Sequence, residues 1–227
     1  MDFIGMFQTW IKVLSRPGQE VFVAEKESAS AKLSTALVWI ILASIVSALL
    51  GLVQTQLAVA GMESSFDAML EEFRTEMPPD APPELLSAFE SFVEIMPGLI
   101  GSANLSTIVV GPISFLVVVG IFHVIASLLR GQGQYGRFAY LVAAFWAPIT
   151  IASSILGVVP VVGGCVGGLL VIYAYVLTYF AAKVEYGLSD GRAIIVVAAP
   201  ILLGVLLIAC FAIAVFAIAF SAIQNLQ

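Results

Sequence analysis

Basic residues are scarce in this chain: nine lysines and arginines in 227 residues, nowhere in a cluster. A nucleic-acid surface needs concentrated cations, so that class of partner is excluded. Histidine occurs once, at position 123, and cysteine twice, at 165 and 210. The cysteines have neither metal-ligand spacing nor an oxidising neighbourhood, and read as small buried hydrophobes. There is no Ser/His/Asp set, no Cys/His pair and no H-E-x-x-H pattern. An enzyme has little to work with here, and no catalytic, cofactor-binding or metal-ligating residue is assigned.

Apolar residues, in contrast, make up 61% of the chain, and the mean hydropathy is +1.08. Both values lie far from soluble domains. Runs of about 20 apolar residues cross a ~30 Å hydrocarbon core, and five are present: Leu33–Val53, Leu105–Leu129, Phe138–Val159, Val161–Ala182 and Ala193–Ile223. The expected fold is all-α, a polytopic membrane protein built as a five-helix transmembrane bundle. An N-terminal interfacial helix and an extracytoplasmic helical hairpin complete it. Residues 1–32 form a cytoplasmic amphipathic segment and 33–223 the membrane domain, with an outer loop at 59–98. The first apolar run follows a charged stretch of over thirty residues, unlike a cleavable signal.

Charge sets the orientation. Lys12, Arg16, Lys26, Lys32, Arg130, Arg137, Lys183 and Arg192 fall on one side of the spans, and only Arg74 on the other. Basic loops stay in the cytoplasm, so the N-terminus is cytoplasmic and the C-terminus extracytoplasmic. The outer loop holds nine acids, from Glu63 to Glu94, and accounts for the net charge of −6. Glu63, Asp67 and Glu71 are spaced like one solvated helix face, without the pattern of a calcium loop.

Phe3, Ile4, Phe7, Trp10, Ile11 and Leu14 recur at helical spacing, with Asp2, Gln8, Thr9 and Lys12 opposite. Such a helix lies in the cytoplasmic headgroup layer or packs on the spans. Pro17 ends it, and a short segment through Phe22 and Lys26 follows. In the outer loop two amphipathic helices, marked by Met62–Met77 and Leu85–Met96, are parted by the prolines of 78–83. Gly157-Val158-Val159-Pro160 predicts a tight hairpin between the third and fourth spans, its backbone satisfied locally. The last span is longer than a bilayer requires, which predicts tilt or a break near Pro200.

Gly131-Gln132-Gly133-Gln134-Tyr135-Gly136 matches the dinucleotide fingerprint by letter. It follows a membrane span rather than a strand, and no acid stands about twenty positions on, so it reads as a flexible cytoplasmic turn. Gly163, Gly164, Gly167 and Gly168 form overlapping G-x-x-x-G pairs, a seam for close helix packing inside the bundle or against a partner. His123 lies inside the second span, where an ionisable group is a functional candidate. With no acid deep in any span, a neutral histidine bonded to a hydroxyl or carbonyl is expected. Glu185 and Lys183 border the fourth span and read as solvated. Asn104-Leu105-Ser106 fits a glycosylation acceptor but lies close to the membrane.

The order of features resembles the Yip family of Ypt/Rab-interacting membrane proteins, most of all its prokaryotic branch. The resemblance covers nearly the whole chain: Arg16-Pro17 with Phe22; Gly111-Pro112; His123 followed by Gly131, Gly133, Tyr135 and Phe138; Tyr140 and Pro148; and Gly187-Leu188-Ser189-Asp190-Gly191-Arg192-Ala193. It implies five spans and a cytoplasmic N-terminus. Eukaryotic members act in vesicle trafficking, binding small GTPases and assembling with one another. This chain departs from them in its short N-terminal segment, which lacks their acidic Asp-Leu-Tyr-Gly-Pro-type stretch, and this counts against GTPase binding. The expectation is a non-enzymatic protein of the cell membrane. It organises the lipid bilayer or assembles as a homo-oligomer or with a related membrane protein. The alternative is a small transporter or channel, for which Pro148, Pro200 and the glycine-rich fourth span would supply broken helices.

Overall fold

A computed structural model describes residues 3–76 and 83–224, and all of the regular structure in them is helical. Two short helices, α1 (Phe3–Ser15) and α2 (Gln19–Lys26), precede five long ones: α3 (Leu33–Glu76), α4 (Pro83–Leu128), α5 (Tyr135–Leu156), α6 (Pro160–Tyr186) and α7 (Asp190–Gln224). Each long helix contains a stretch long and apolar enough to cross a membrane: Leu33–Leu57, Asn104–Leu128, Tyr135–Leu156, Gly163–Tyr186 and Asp190–Ile213. The protein is a multi-pass all-α membrane protein.

Both amphipathic stretches of the acidic loop are helical wherever they are described. They are uninterrupted extensions of α3 and α4 rather than separate elements. Residues 78–82 of the proline break lie outside the described residues. The hairpin between α5 and α6 is tight, as its composition predicts. Gly157 N–H donates to Ser153 O at 2.9 Å and Val159 N–H to Leu156 O at 3.0 Å, and Pro160 opens α6 where a missing N–H costs nothing. At Pro200 α7 continues without a break. Ser189 caps α7, its carbonyl accepting from Ala193 N–H at 3.0 Å, and Asp190 stands in the first turn where the helix dipole favours an anion.

The chain divides into two compact units. Unit 1 comprises Met1–Leu33, Val117–Val142 and Tyr175–Gln227, and unit 2 comprises Ser34–Leu116 and Ala143–Ala174. The core of unit 1 gathers Trp10, Val13, Phe22, Phe122, Phe138, Tyr140, Leu177 and Tyr186. Phe22 stacks on Phe180 with ring centroids 6.4 Å apart, which docks α2. That of unit 2 holds Ala36, Trp39, Ile40, Ala43, Ala48, Phe115, Phe145 and Ala147.

In unit 2, α3 and α4 approach closely through small residues. Asn104 Nδ2 donates to Gly51 O (3.1 Å) and Thr55 Oγ1 (2.8 Å), and a Cβ on Gly111 would fall 2.6 Å from Ser44 Oγ. Amide and hydroxyl groups joining helices through small-residue contacts are a membrane packing device. The Asn104 amide is thereby occupied in the helix contact.

The glycines of α6 behave otherwise. A Cβ on Gly164, Gly167 or Gly168 would meet nothing within 4 Å, and only Gly163 is crowded, by the preceding turn at Leu156 O and Gly157. The internal packing seam expected there is absent: no other part of the described chain presses into it. Cys165 and Cys210 are exposed on their helices rather than buried, because the faces that carry them meet no other described part of the chain.

Candidate functional site

The polar residues of unit 1 gather where α4, α6 and α7 have their basic ends. α4 closes with a left-handed residue, Arg130 (φ +64°), while Gly131 N–H donates to Ala126 O at 2.9 Å and Arg130 N–H to Ser127 O at 3.0 Å. Glycine normally fills that position, and a side chain there costs roughly 1–2 kcal/mol. α6 ends the same way at Gly187 (φ +62°), with Leu188 N–H donating to Lys183 O at 3.1 Å.

Between α4 and α5 the 131–134 loop lies against Tyr186. A Cβ on Gly133 would stand 2.5 Å from Tyr186 Cδ1 and 3.0 Å from Glu185 Cγ, and one on Gly131 would stand 2.7 Å from Tyr186 Cβ. Gln132 N–H donates to Tyr186 O at 3.1 Å. The G-x-G spacing therefore seats an aromatic ring against bare backbone. The loose turn expected from the sequence is corrected to a packed, hydrogen-bonded loop.

Glu185 is the centre of this site. Its side chain is 0% exposed, which corrects the solvated reading. Oε1 accepts from Gln134 N–H at 2.7 Å, at the N-terminus of α5, and from Arg137 Nε at 3.1 Å. Lys26 Nζ stands 3.7 Å from Oε2 and donates to Val184 O (3.1 Å) and Glu185 O (3.2 Å), capping the last turn of α6. A carboxylate removed from water costs several kcal/mol unless paired and hydrogen-bonded. Arg137 and the N-terminus of α5 meet that need at Oε1, while Oε2 has the Lys26 charge beside it but no hydrogen-bond partner among the described residues.

The residue before Lys26 makes a second knot. Glu25 Oε1 pairs with Lys12 Nζ of α1 at 2.9 Å, and Glu25 Oε2 accepts from the Tyr140 hydroxyl at 3.1 Å. Tyr140 is buried, so its hydroxyl requires a partner. Consecutive residues of α2 thus tie α1, α5 and α6 together. Beside them, His123 Nδ1 lies 2.6 Å from the Tyr186 hydroxyl, with the Tyr135 ring edge-on at 5.6 Å. The histidine has the hydroxyl partner its sequence position predicts. Lys183 pairs with Asp190, which also accepts from Tyr179 at 2.9 Å.

Of the sequence candidates, the structure brings His123, Gly131, Gly133, Tyr135, Tyr140 and Glu185 into unit 1. Pro148, Gly163, Gly164, Gly167 and Gly168 lie in unit 2 and take no part. Sequence reading missed Lys12, Glu25, Lys26, Gln134, Arg137 and Tyr186. The one signal available was the adjacency of Glu25 and Lys26 next to buried Phe22. Each carboxylate here is matched by a cation, so the cluster suits a clasp better than proton abstraction. No three His, Cys, Asp or Glu residues come together to hold a metal among the described residues.

α1 shows what the clasp holds. Met6, Trp10 and Val13 are buried, while Phe3, Ile4, Phe7 and Ile11 are 54–71% exposed. At 100° per residue these are adjacent stripes of one helix, one docked on the protein and one open. Of the two expected settings, packing on the protein holds for the Met6, Trp10 and Val13 stripe.

The family model of the Yip1 domain matches residues 11–222. No curated protein and no solved structure gives a match.

Proposed function

Because this chain belongs to the Yip1 domain family, we propose that it is a non-enzymatic organiser of the cell membrane, with its N-terminus and basic helix ends in the cytoplasm. The observation that carries this reading is the open apolar stripe of α1 beside its docked one. A helix clasped to a membrane domain by Lys12, Glu25, Lys26 and Glu185 holds Phe3, Ile4, Phe7 and Ile11 at the inner headgroup layer. Shallow insertion there wedges one leaflet and favours curvature. The test is full-length protein in giant vesicles from which thin tethers are pulled. Enrichment on the tether, lost when all four residues become Ser, is expected. Equal density on tether and vesicle sinks the reading.

A second reading, assembly with another copy or a related membrane protein, is favoured by α7. Its first turns bury Ala193, Val196 and Val197, whereas every large side chain from Ile201 to Ile213 is exposed. A stretch of span that no described part of its own chain covers is available to a neighbouring helix. With Cys165→Ser, oxidative cross-linking through Cys210 in native membranes is expected to give a discrete larger species. Monomer alone counts against assembly through α7.

A further inference from the structure

α5 carries a polar stripe inside its apolar span. Trp146, Thr150, Ser153 and Ser154 fall at i, i+4, i+7 and i+8, one face of the helix. Gln54 of α3 meets that stripe within unit 2: its Nε2 donates to Ser154 O, and a Cβ on Gly157 would stand 3.0 Å from the same nitrogen. These residues line a cleft of about 370 Å³ together with Ile149, Val171 and Ala174, and no charged side chain is in its lining.

The stripe descends through half of the membrane. Counted back from the end of α5 at Leu156, Ser153 lies roughly 5 Å deep, Thr150 roughly 9 Å and Trp146 roughly 15 Å. The last depth is the middle of a ~30 Å hydrocarbon core. Gln54 stands at the shallow end, three residues before the apolar window of α3 closes at Leu57.

The polar groups along this descent are not used up by the chain. Thr150 Oγ1 donates to Trp146 O at 2.8 Å and Ser154 Oγ to Thr150 O at 3.0 Å, which leaves both hydroxyl oxygens able to accept. The Trp146 indole N–H, the Ser153 hydroxyl and the Gln54 side-chain carbonyl have no hydrogen-bond partner among the described residues. All of these residues are half-buried. An acyl chain in the cleft would leave each such group unsatisfied, at roughly 1–3 kcal/mol apiece. Phospholipid headgroups and esters do not reach the level of Trp146. The occupant has to donate and accept, carry no charge and be small.

We propose that this cleft is a water-filled vestibule, entered beside Gln54 at the α5–α6 hairpin and ending at the Trp146 indole N–H. Its volume holds roughly ten waters, each with partners on the wall or among its neighbours. Water along the stripe leaves only about 15 Å of apolar barrier at the foot of the cleft. The vestibule stands independently of the role of α1.

The test is hydrogen exchange by NMR on the full-length protein, labelled with nitrogen-15 tryptophan and held in phosphatidylcholine nanodiscs. Ile172→Trp supplies the comparison. Position 172 is 63% exposed on α6 and lies nine residues past Gly163, where the apolar window of that span opens, so it is roughly 14 Å deep. In deuterium oxide the Trp146 indole proton, assigned by its loss in Trp146→Phe, should exchange about a hundredfold faster than the indole at 172. It should outpace the backbone N–H of Trp146 by a similar factor. Thr150→Val combined with Ser153→Ala strips hydroxyls from the wall and should slow the Trp146 indole about tenfold. Exchange at Trp146 no faster than at 172 overturns the proposal, because the cleft then holds hydrocarbon. Equal exchange of indole and backbone at Trp146 overturns it too, the mark of water entering by unfolding, as does an unchanged rate in the double variant. If the double variant misfolds, the comparison of positions 146 and 172 decides alone.

Discussion

In unit 1 the side chains of Lys12, Glu25, Lys26, Arg137 and Glu185 converge from α1, α2, α5 and α6. In unit 2 the helices meet through Asn104, Thr55, Gln54, Gly51 and Gly111. One unit joins its helices with charge, and the other with small residues and neutral hydrogen bonds. The contrast follows the solvent. A charge at mid-bilayer costs at least 2.5–3.5 kcal/mol even by the mildest scales, whereas near helix ends it draws on cations, helix termini and water. Close approach of backbones needs no charge and works at any depth.

Substitutions at four positions sharpen this difference. Glu185→Ala should have the largest effect, about 2–4 kcal/mol by thermal unfolding in detergent. That is below the full cost of breaking a buried pair, because Arg137 and Lys26 keep some contact with solvent. Glu185→Gln should recover part of it, since an amide oxygen still accepts from Gln134 N–H. Gly111→Leu comes next, at about 1–3 kcal/mol, by forcing α4 away from Ser44. Asn104→Leu should cost about 0.6 kcal/mol, the average for a hydrogen bond between membrane helices. Gly168→Ala should stay within about 0.5 kcal/mol, since its Cβ enters open space. A large loss at Gly168 in native membranes but not in detergent would reveal a neighbour there.

The five spans were legible because their signal is additive. A run of apolar residues keeps its meaning whatever single positions do, and so does the pairing of Pro160 with a tight turn. Glu185 was not legible. An acid near a lysine at the end of a span has the composition of a solvated boundary, and its burial depends on Gln134 and Arg137, 51 and 48 residues away. The internal helix-packing seam was misplaced for a related reason. Four glycines crowded into α6 are conspicuous, but Gly51 and Gly111 stand alone in their helices and gain meaning only when α3 meets α4. In α1 the sequence held the full apolar arc, but which part docks is decided by tertiary packing and has no local mark.

The length of α3 has a consequence for the acidic residues. Its 44 residues make a rod of roughly 66 Å, against a hydrocarbon core of ~30 Å. Past Leu57, where the apolar window closes, roughly 28 Å of helix remains, and its sequence includes Glu63, Asp67, Glu71, Glu72 and Glu76. At 1.5 Å per residue Glu63 stands roughly 9 Å and Glu76 roughly 28 Å beyond that window, so these charges run from about one to more than three screening lengths of ~8 Å from the hydrocarbon core. The inner acids act on the headgroup layer, and the outer ones set a negative field in the water beyond it, which concentrates cations there.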